Sequence, residues 1–354
     1  MSEQNKLGMS LDTRIASTVP AIAKQGGSLP SQQERPSLCS WDVPFFSACD
    51  LSRCFQRIGK DFSIVQLTPG ALVGRFTVVQ LQGMSLLRLT TNKVLLLTGE
   101  RGKDTTSFCL EVTGNSDDHR VQCQPFQQFS LYGFKQNLQE AHFQLSSGST
   151  SILAITSCHR FNTFLTRVGQ EHLLDQLMLS NCMQLDQQLH QTLSNHLCKI
   201  FQKPPSTAQE SRLAAQTILV SILSCLQSDT KHFVPFELSA RDQLIQEMVS
   251  WGITNSNTPL TLDQVCQQLF TSRRTLILGS KENFGCGPME LLRIIRLQQV
   301  HSLLRSEQAR QRADLHQVCE VAEYFGFRSR GHFARAYQQQ FEESPRTTLL
   351  KSVA

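Results

Sequence analysis

Roughly the last hundred residues of the chain repeat themselves, and this duplication restricts the possible folds more than any other feature. Leu262, Val265, Cys266 and Leu269 stand at i, i+3, i+4 and i+7, which makes one apolar helical face. Fifty-six positions on, Val318, Val321, Ala322 and Phe325 do the same. A short turn and a second helix follow in each copy, with Leu276 and Phe284 eight apart in the first and Phe333 and Phe341 eight apart in the second. Proline arrives four residues later both times, at Pro288 and Pro345. The spacing predicts two equivalent units of helix, tight turn and helix.

In such a unit the first helix buries one face to hold the second, whose outward residues are free to enter a DNA major groove. The second copy, "GFRSRGHFARAYQQQFEESP", fits that requirement. With Phe333, Tyr337 and Phe341 turned inward, Arg328, Ser329, Arg330, His332 and Arg335 remain at the helix start and on its outer face. In the first copy "TSRRTL" supplies Ser272, Arg273, Arg274 and Thr275 at the equivalent place. Arginine suits bidentate contact with guanine edges as well as phosphate contact, and Ser329 sits where an N-cap belongs. One basic helix face is often only a solvated face. Two copies with matching cores and matching basic starts favour the reading of a DNA interface. Between them "PMELLRIIRLQQVHSLL" reads as an amphipathic helix opened by proline, about 25 Å long at 1.5 Å per residue. That length, added to the width of the units, suits two reading helices in neighbouring groove segments roughly 34 Å apart.

The segment from about Leu262 to Leu350 resembles the DNA-binding domain of the AraC/XylS family of bacterial transcription regulators. The resemblance rests on "SRRTL" and "FGCGP" in the first copy, on the "RIIRLQQVHSLL" linker, and most of all on "VCEVAEYFGFRSRGHFARAYQQQFEESP". It implies a cytoplasmic, sequence-specific regulator, an activator or a repressor, that grips two successive major grooves of double-stranded DNA and works with RNA polymerase. It also implies an amino-terminal region that senses a signal or mediates pairing. Three positions depart from the family pattern: Leu278 stands where an arginine is usual, Ser280 where an aromatic is usual, and Glu342 where glycine usually takes a left-handed conformation. The link "SEQARQRADLHQ" is longer and more charged than usual.

The rest of the chain is less explicit. Its 354 residues are too many for one ordinary domain, and 40% hydrophobic with 18% charged residues is enough to build sizeable cores. The expected class is α+β. Residues 1–38, rich in Ser, Gln, Gly and Pro, read as a flexible arm. Residues 39–168 read as a β-rich, barrel- or cupin-like sensor domain, with short aliphatic runs broken at Pro69-Gly70, Gly83 and Gly99 and an apolar interior suited to a small effector whose identity the residues do not name. Residues 169–254 read as a helical connector. Its stripe of Leu185, Leu189, Leu193 and Leu197 packs either internally or across a homodimer. The DNA-binding domain takes 255–354.

The net charge of +5 is concentrated late in the chain, with thirteen Lys and Arg against nine Asp and Glu from Pro259 onward. The 12 cysteines never fall in Cys-x-x-Cys spacing, so they read as reduced, small apolar residues. No apolar run approaches the length needed to cross a bilayer, and the start of the chain lacks a secretory signal pattern. No constellation for a metal, a cofactor or catalysis stands out: the Cys158-His159 neighbours point apart in a strand, and His142, His159 and His172 read as ordinary histidines. The competing class is a small-molecule binding protein or enzyme whose helical tail makes only protein contacts.

Overall fold

The computed structural model describes residues 40–351 apart from 114–117, 137 and 258–260; the arm expected over 1–38 lies outside the described residues. The first strands are β1 (Ser40–Phe45), β2 (Phe62–Gln66), β3 (Gly74–Leu81), β4 (Met84–Thr91), β5 (Leu95–Glu100) and β6 (Thr105–Thr113), with helix α1 (Ala48–Gln56) after β1. Short strands β7 (Arg120–Val121), β8 (Gln124–Pro125) and β9 (Ser130–Tyr132) precede β10 (Glu140–Leu145) and β11 (Thr150–Ser157). They form two antiparallel sheets, together with β12 (Ser180–Gln184) and β13 (His232–Pro235). The larger runs β1-β3-β4-β11-β6-β9-β12-β13 and the smaller β2-β5-β10-β7-β8.

Side chains alternate across the larger sheet, and both of its faces are buried, which explains why runs such as "LLRL" are nearly continuous. Val78 and Leu87 face the core shared with Phe45, Leu51, Phe55, Leu95 and Leu97. Their chain neighbours Val79 and Leu86 face the other way, into a core with helices α2 (Cys158–Arg167), α3 (Leu173–Leu179), α4 (Gln187–Gln202) and α5 (Ala208–Gln227). The sheet is thus covered by the smaller sheet and α1 on one side and by helices on the other.

The fold departs from the sequence pattern at several places. Gly99 is not a turn residue; it pairs with Phe62 and Ala141 inside β5, and a Cβ there would lie 2.3 Å from the Asp61 carbonyl oxygen. A close backbone approach, not a chain reversal, is what the missing side chain serves. The connector is not wholly helical: β12 and β13 come from it and complete the edge of the larger sheet. The leucine stripe is used internally, since Leu185, Leu193 and Leu197 are buried and Leu189 packs on the same core. The interior is not simply apolar either. Glu111 accepts hydrogen bonds from Thr150 N and Ser151 Oγ at 2.7 Å, and its carboxylate lies 3.7 Å from His119, which reaches Tyr132 Oη at 3.3 Å. Burial pushes the His119 imidazole down to about 4, so it is neutral at pH 7.

The carboxy-terminal part is all-helical: α6 (Ala240–Thr254), α7 (Leu262–Gln268), α8 (Arg273–Phe284), α9 (Pro288–Leu304), α10 (Glu307–Arg312), α11 (Val318–Tyr324), α12 (Arg330–Phe341) and α13 (Pro345–Lys351). Helix α6, expected in the connector, instead puts Leu244, Ile245, Met248 and Val249 into one core with α7, α8 and α9. Among the described residues no helix is long and apolar enough to cross a membrane.

Candidate nucleic-acid interface

Each unit is assembled by the same local chemistry. In the first, Thr261 and Gln264 form a capping box that starts α7, and Ser272 Oγ accepts from Thr275 N at 3.1 Å to start α8. In the second, Gln317 and Glu320 cap α11, and Ser329 Oγ accepts from His332 N at 3.4 Å to start α12. The turns between the helices use left-handed backbone at equivalent places, Phe270 at φ 49° and Gly326 at φ 80°. The reading helices also end alike, at Gly285 with φ 69° and at Glu342 with φ 54°. Glu342 therefore keeps the conformation that glycine usually supplies and carries its steric cost.

Helix α9 is the common support. Leu291, Leu292, Ile294 and Ile295 pack with the first unit, and Leu297, Val300 and Leu304 with the second. The charged link after it is not loose: Arg310 is buried and donates to the Leu303 and Leu304 carbonyls that end α9.

The expected reading residues lie on the outside of the starts of α8 and α12. The Arg273 side chain is 63% exposed and that of Arg330 80% exposed. Arg274, Arg328, Ser329, His332 and Arg335 are exposed as well. They are not equally available. Arg273 holds both oxygens of Asp263 on α7, which lowers that carboxyl from its ordinary value. Arg330 has Glu323 only at 3.9 Å, and Arg274, Arg328 and Arg335 form no ion pair among the described residues. Ser272 and Thr275 are occupied with each other, their hydroxyls 2.8 Å apart, so they act first as the cap of α8.

Contacts between residues far apart in the chain hold the units against the sheets. Gln340 at the end of α12 donates to the Gln66 carbonyl at 2.8 Å, and Gln66 returns a bond to the Gln340 carbonyl at 3.3 Å. Arg305 pairs with Asp50 on α1 at 3.1 Å. His301, Glu343, Thr348 and Tyr337 form a chain: Tyr337 Oη donates to Thr348, which donates to Glu343 at 2.7 Å, and His301 reaches the same carboxylate at 3.2 Å. Burial pushes the Glu343 carboxyl up, but the bonds from His301, Lys351 and Thr348 outweigh it and leave the group at about 2. A cavity of about 290 Å³ lies beside this joint. On the first unit Arg120 Nε donates to the Asn283 carbonyl at 2.9 Å, and Val65, Leu96 and Cys123 of the smaller sheet and its loop enter the helical core. The Gln66 and Gln340 partners are 274 positions apart, and no local pattern marks them. Among the described residues no group of three or more His, Cys, Asp or Glu side chains is placed to hold a metal ion.

Two helix-turn-helix units on one shared helix, each presenting a basic helix start, define a DNA-binding domain. The family model described as "Helix-turn-helix domain" matches residues 265–351. The carboxy-terminal part is of the AraC type. A probable thc operon regulatory protein of Rhodococcus erythropolis is 29% identical over 136 residues, 38% of this chain and 40% of that protein. The HTH-type transcriptional activator RhaS of Escherichia coli O157:H7 is 29% identical over 142 residues, 40% of this chain and 46% of its own length. The chain thus spans less than half the length of these curated relatives. Among solved structures, the AraC-like transcriptional activator CuxR aligns at 14% identity and TM-score 0.36, over 75% of this chain and 96% of the other. ToxT of Vibrio cholerae aligns at 12% identity and TM-score 0.30, over 89% and 98%.

Proposed function

We propose that the chain is a sequence-specific transcription regulator that lays α8 and α12 in successive major grooves of double-stranded DNA. The observation that carries this reading is the paired, exposed basic start of two helices braced on the single rod α9. Arg330 and Arg328 supply base-edge and phosphate contact in the second groove, with Ser329, His332 and Arg335 along the backbone. Arg273 and Arg274 take the equivalent places in the first, with Ser272 and Thr275 holding the helix start. The β-rich part with its helical layer acts as the signal-sensing region, and the regulator works in the cytoplasm on RNA polymerase at its promoter, as an activator. Homodimerisation, if used, draws on surfaces other than the buried leucine stripe.

A gel-shift titration of the full chain on DNA upstream of its own gene tests the reading. Specific binding is expected, and it weakens steeply between low and moderate salt because bound cations displace condensed counterions. Arg330→Ala costs about 1 to 3 kcal/mol and relaxes preference at one base pair, whereas Arg335→Ala weakens all sequences alike. Unchanged affinity in both variants would remove α12 from the interface.

A further inference from the structure

A second cluster of cations lies on the helical layer of the β-rich part, in residues the DNA interface does not use. An open cleft of about 530 Å³ forms where the tip of the β3–β4 hairpin meets α2 and α5. Arg160, Arg167, Arg212 and His159 line it, and no carboxylate does. None of the three guanidiniums forms an ion pair among the described residues.

Several observations set this cleft apart from a solvated basic face. The Nε of Arg160 is buried and has no hydrogen-bond partner, so this guanidinium finds no acceptor for it within the protein. Arg160 lies in the first turn of the ten-residue α2, which contains no acidic residue. Cations at a helix N-terminus oppose the helix dipole, so this placement lacks the compensation that an anion would supply. The wall is also fixed in place. Gln82 N donates to Ser211 Oγ of α5 at 2.9 Å, and Thr156 Oγ1 of β11 donates to the Gly83 carbonyl at 2.9 Å. Gly83 has a left-handed φ of 72°, and a Cβ on it would lie 2.0 Å from Nη1 of Arg160, so the absent side chain makes room for the guanidinium.

We infer that this cleft binds a phosphorylated small molecule, with the phosphate held by the Arg160 and Arg212 guanidiniums and the remainder resting on Phe164 and Leu219. Guanidinium forks match phosphate oxygens bidentately, and the three terminal oxygens of one phosphate let two forks share a single group, whereas each carboxylate offers only two oxygens. The volume falls within the range of roughly 300 to 1,000 Å³ usual for small-molecule sites. The cleft is independent of the reading face proposed for DNA, and its occupancy is measured without DNA.

The test is isothermal titration of the full chain with inorganic pyrophosphate, and in parallel with malonate as a dicarboxylate. Pyrophosphate is expected to bind one to one, more weakly as sodium chloride is added, and malonate is expected to bind far more weakly. Arg212 is exposed, so Arg212→Gln keeps the fold and lowers pyrophosphate affinity about tenfold. Arg160→Gln combined with Arg212→Gln removes binding while leaving DNA affinity intact. The proposal is overturned by absence of pyrophosphate binding, by equal binding of malonate, or by full binding in the Arg212→Gln chain. Loss of pyrophosphate binding in Arg330→Ala instead would place the anion on the DNA-reading face. Loss of DNA affinity in the double variant would make the cleft a nucleic-acid contact.

Discussion

Ser280 and Tyr337 occupy equivalent places in the two helix-turn-helix units, and the contrast between them runs through both. Ser280 is buried with its hydroxyl on the Cys286 carbonyl at 2.9 Å, whereas Tyr337 stacks on His301, meets Phe333 and Phe341 at steep ring angles and donates to Thr348. The first unit, without an aromatic ladder, completes its core with Val65, Leu96 and Cys123 from the smaller sheet and its loop. The second unit is filled by its own side chains and meets the β-rich part through polar contacts, the Gln66–Gln340 exchange and the Arg305–Asp50 pair. An apolar joint resists separation because apolar surface returns to water, while a polar joint exchanges its bonds for bonds to water at little net cost. The first unit is therefore the anchored one and the second the more readily released.

The widest separation between the units is expected in stability. Tyr337→Ala should cost about 3 to 5 kcal/mol, the range for a buried aromatic, whereas Ser280→Ala should cost about 1 kcal/mol for one hydrogen bond. Urea unfolding measures both, and equal losses would break the comparison. Next comes DNA affinity by fluorescence anisotropy. Arg273→Ala should weaken binding less than the 1 to 3 kcal/mol or so expected for Arg330→Ala, because the Arg273 fork is already engaged by Asp263 and must be exchanged for DNA. The reverse order would mean that Asp263 positions Arg273 for the groove.

The helix ends provide a smaller, paired test. Glu342→Gly should raise stability by about 1 kcal/mol by relieving a left-handed side-chain conformation, and Gly285→Ala should lower it by a similar amount. Opposite signs in thermal melts support the equivalence of the two caps.

The smallest effect should be on pH dependence, through the buried cluster of the second unit. The Glu343 carboxyl is depressed to about 2, so its contribution is present above the ordinary carboxylate range and is lost as pH falls toward 2. Burial pushes His301 down, but bonds to Cys49 and Glu343 prevail and raise it, so its contribution is full below pH 6.5 and fades as pH rises through the raised value. His301→Gln should flatten the alkaline side of a melting-temperature profile between pH 6 and 9, and an unchanged slope would show that another group titrates there.

Much of this was legible in the chain. The fifty-six-residue spacing of Val265 and Val321, the serine caps Ser272 and Ser329, and the proline of α9 are local signals, set by helix period and backbone hydrogen bonding within a few residues. The exposed placement of Arg273 and Arg330 follows from the same period. The unequal freedom of those arginines was not legible, because Asp263 lies on another helix. Gly99 reads as a turn in the sequence because glycine is common in turns, and its close approach to Asp61 depends on a neighbouring strand.

By itself, then, the sequence determined the two helix-turn-helix units, their caps and their outward basic faces, because each depends on residues within about one or two helical turns. Only the tertiary structure decided that α6 joins the first unit, that β12 and β13 complete the larger sheet, and that Arg160, Arg167 and Arg212 meet around one cleft. Those outcomes depend on which distant surfaces exclude water together and which buried polar groups find partners, and neither follows from local spacing.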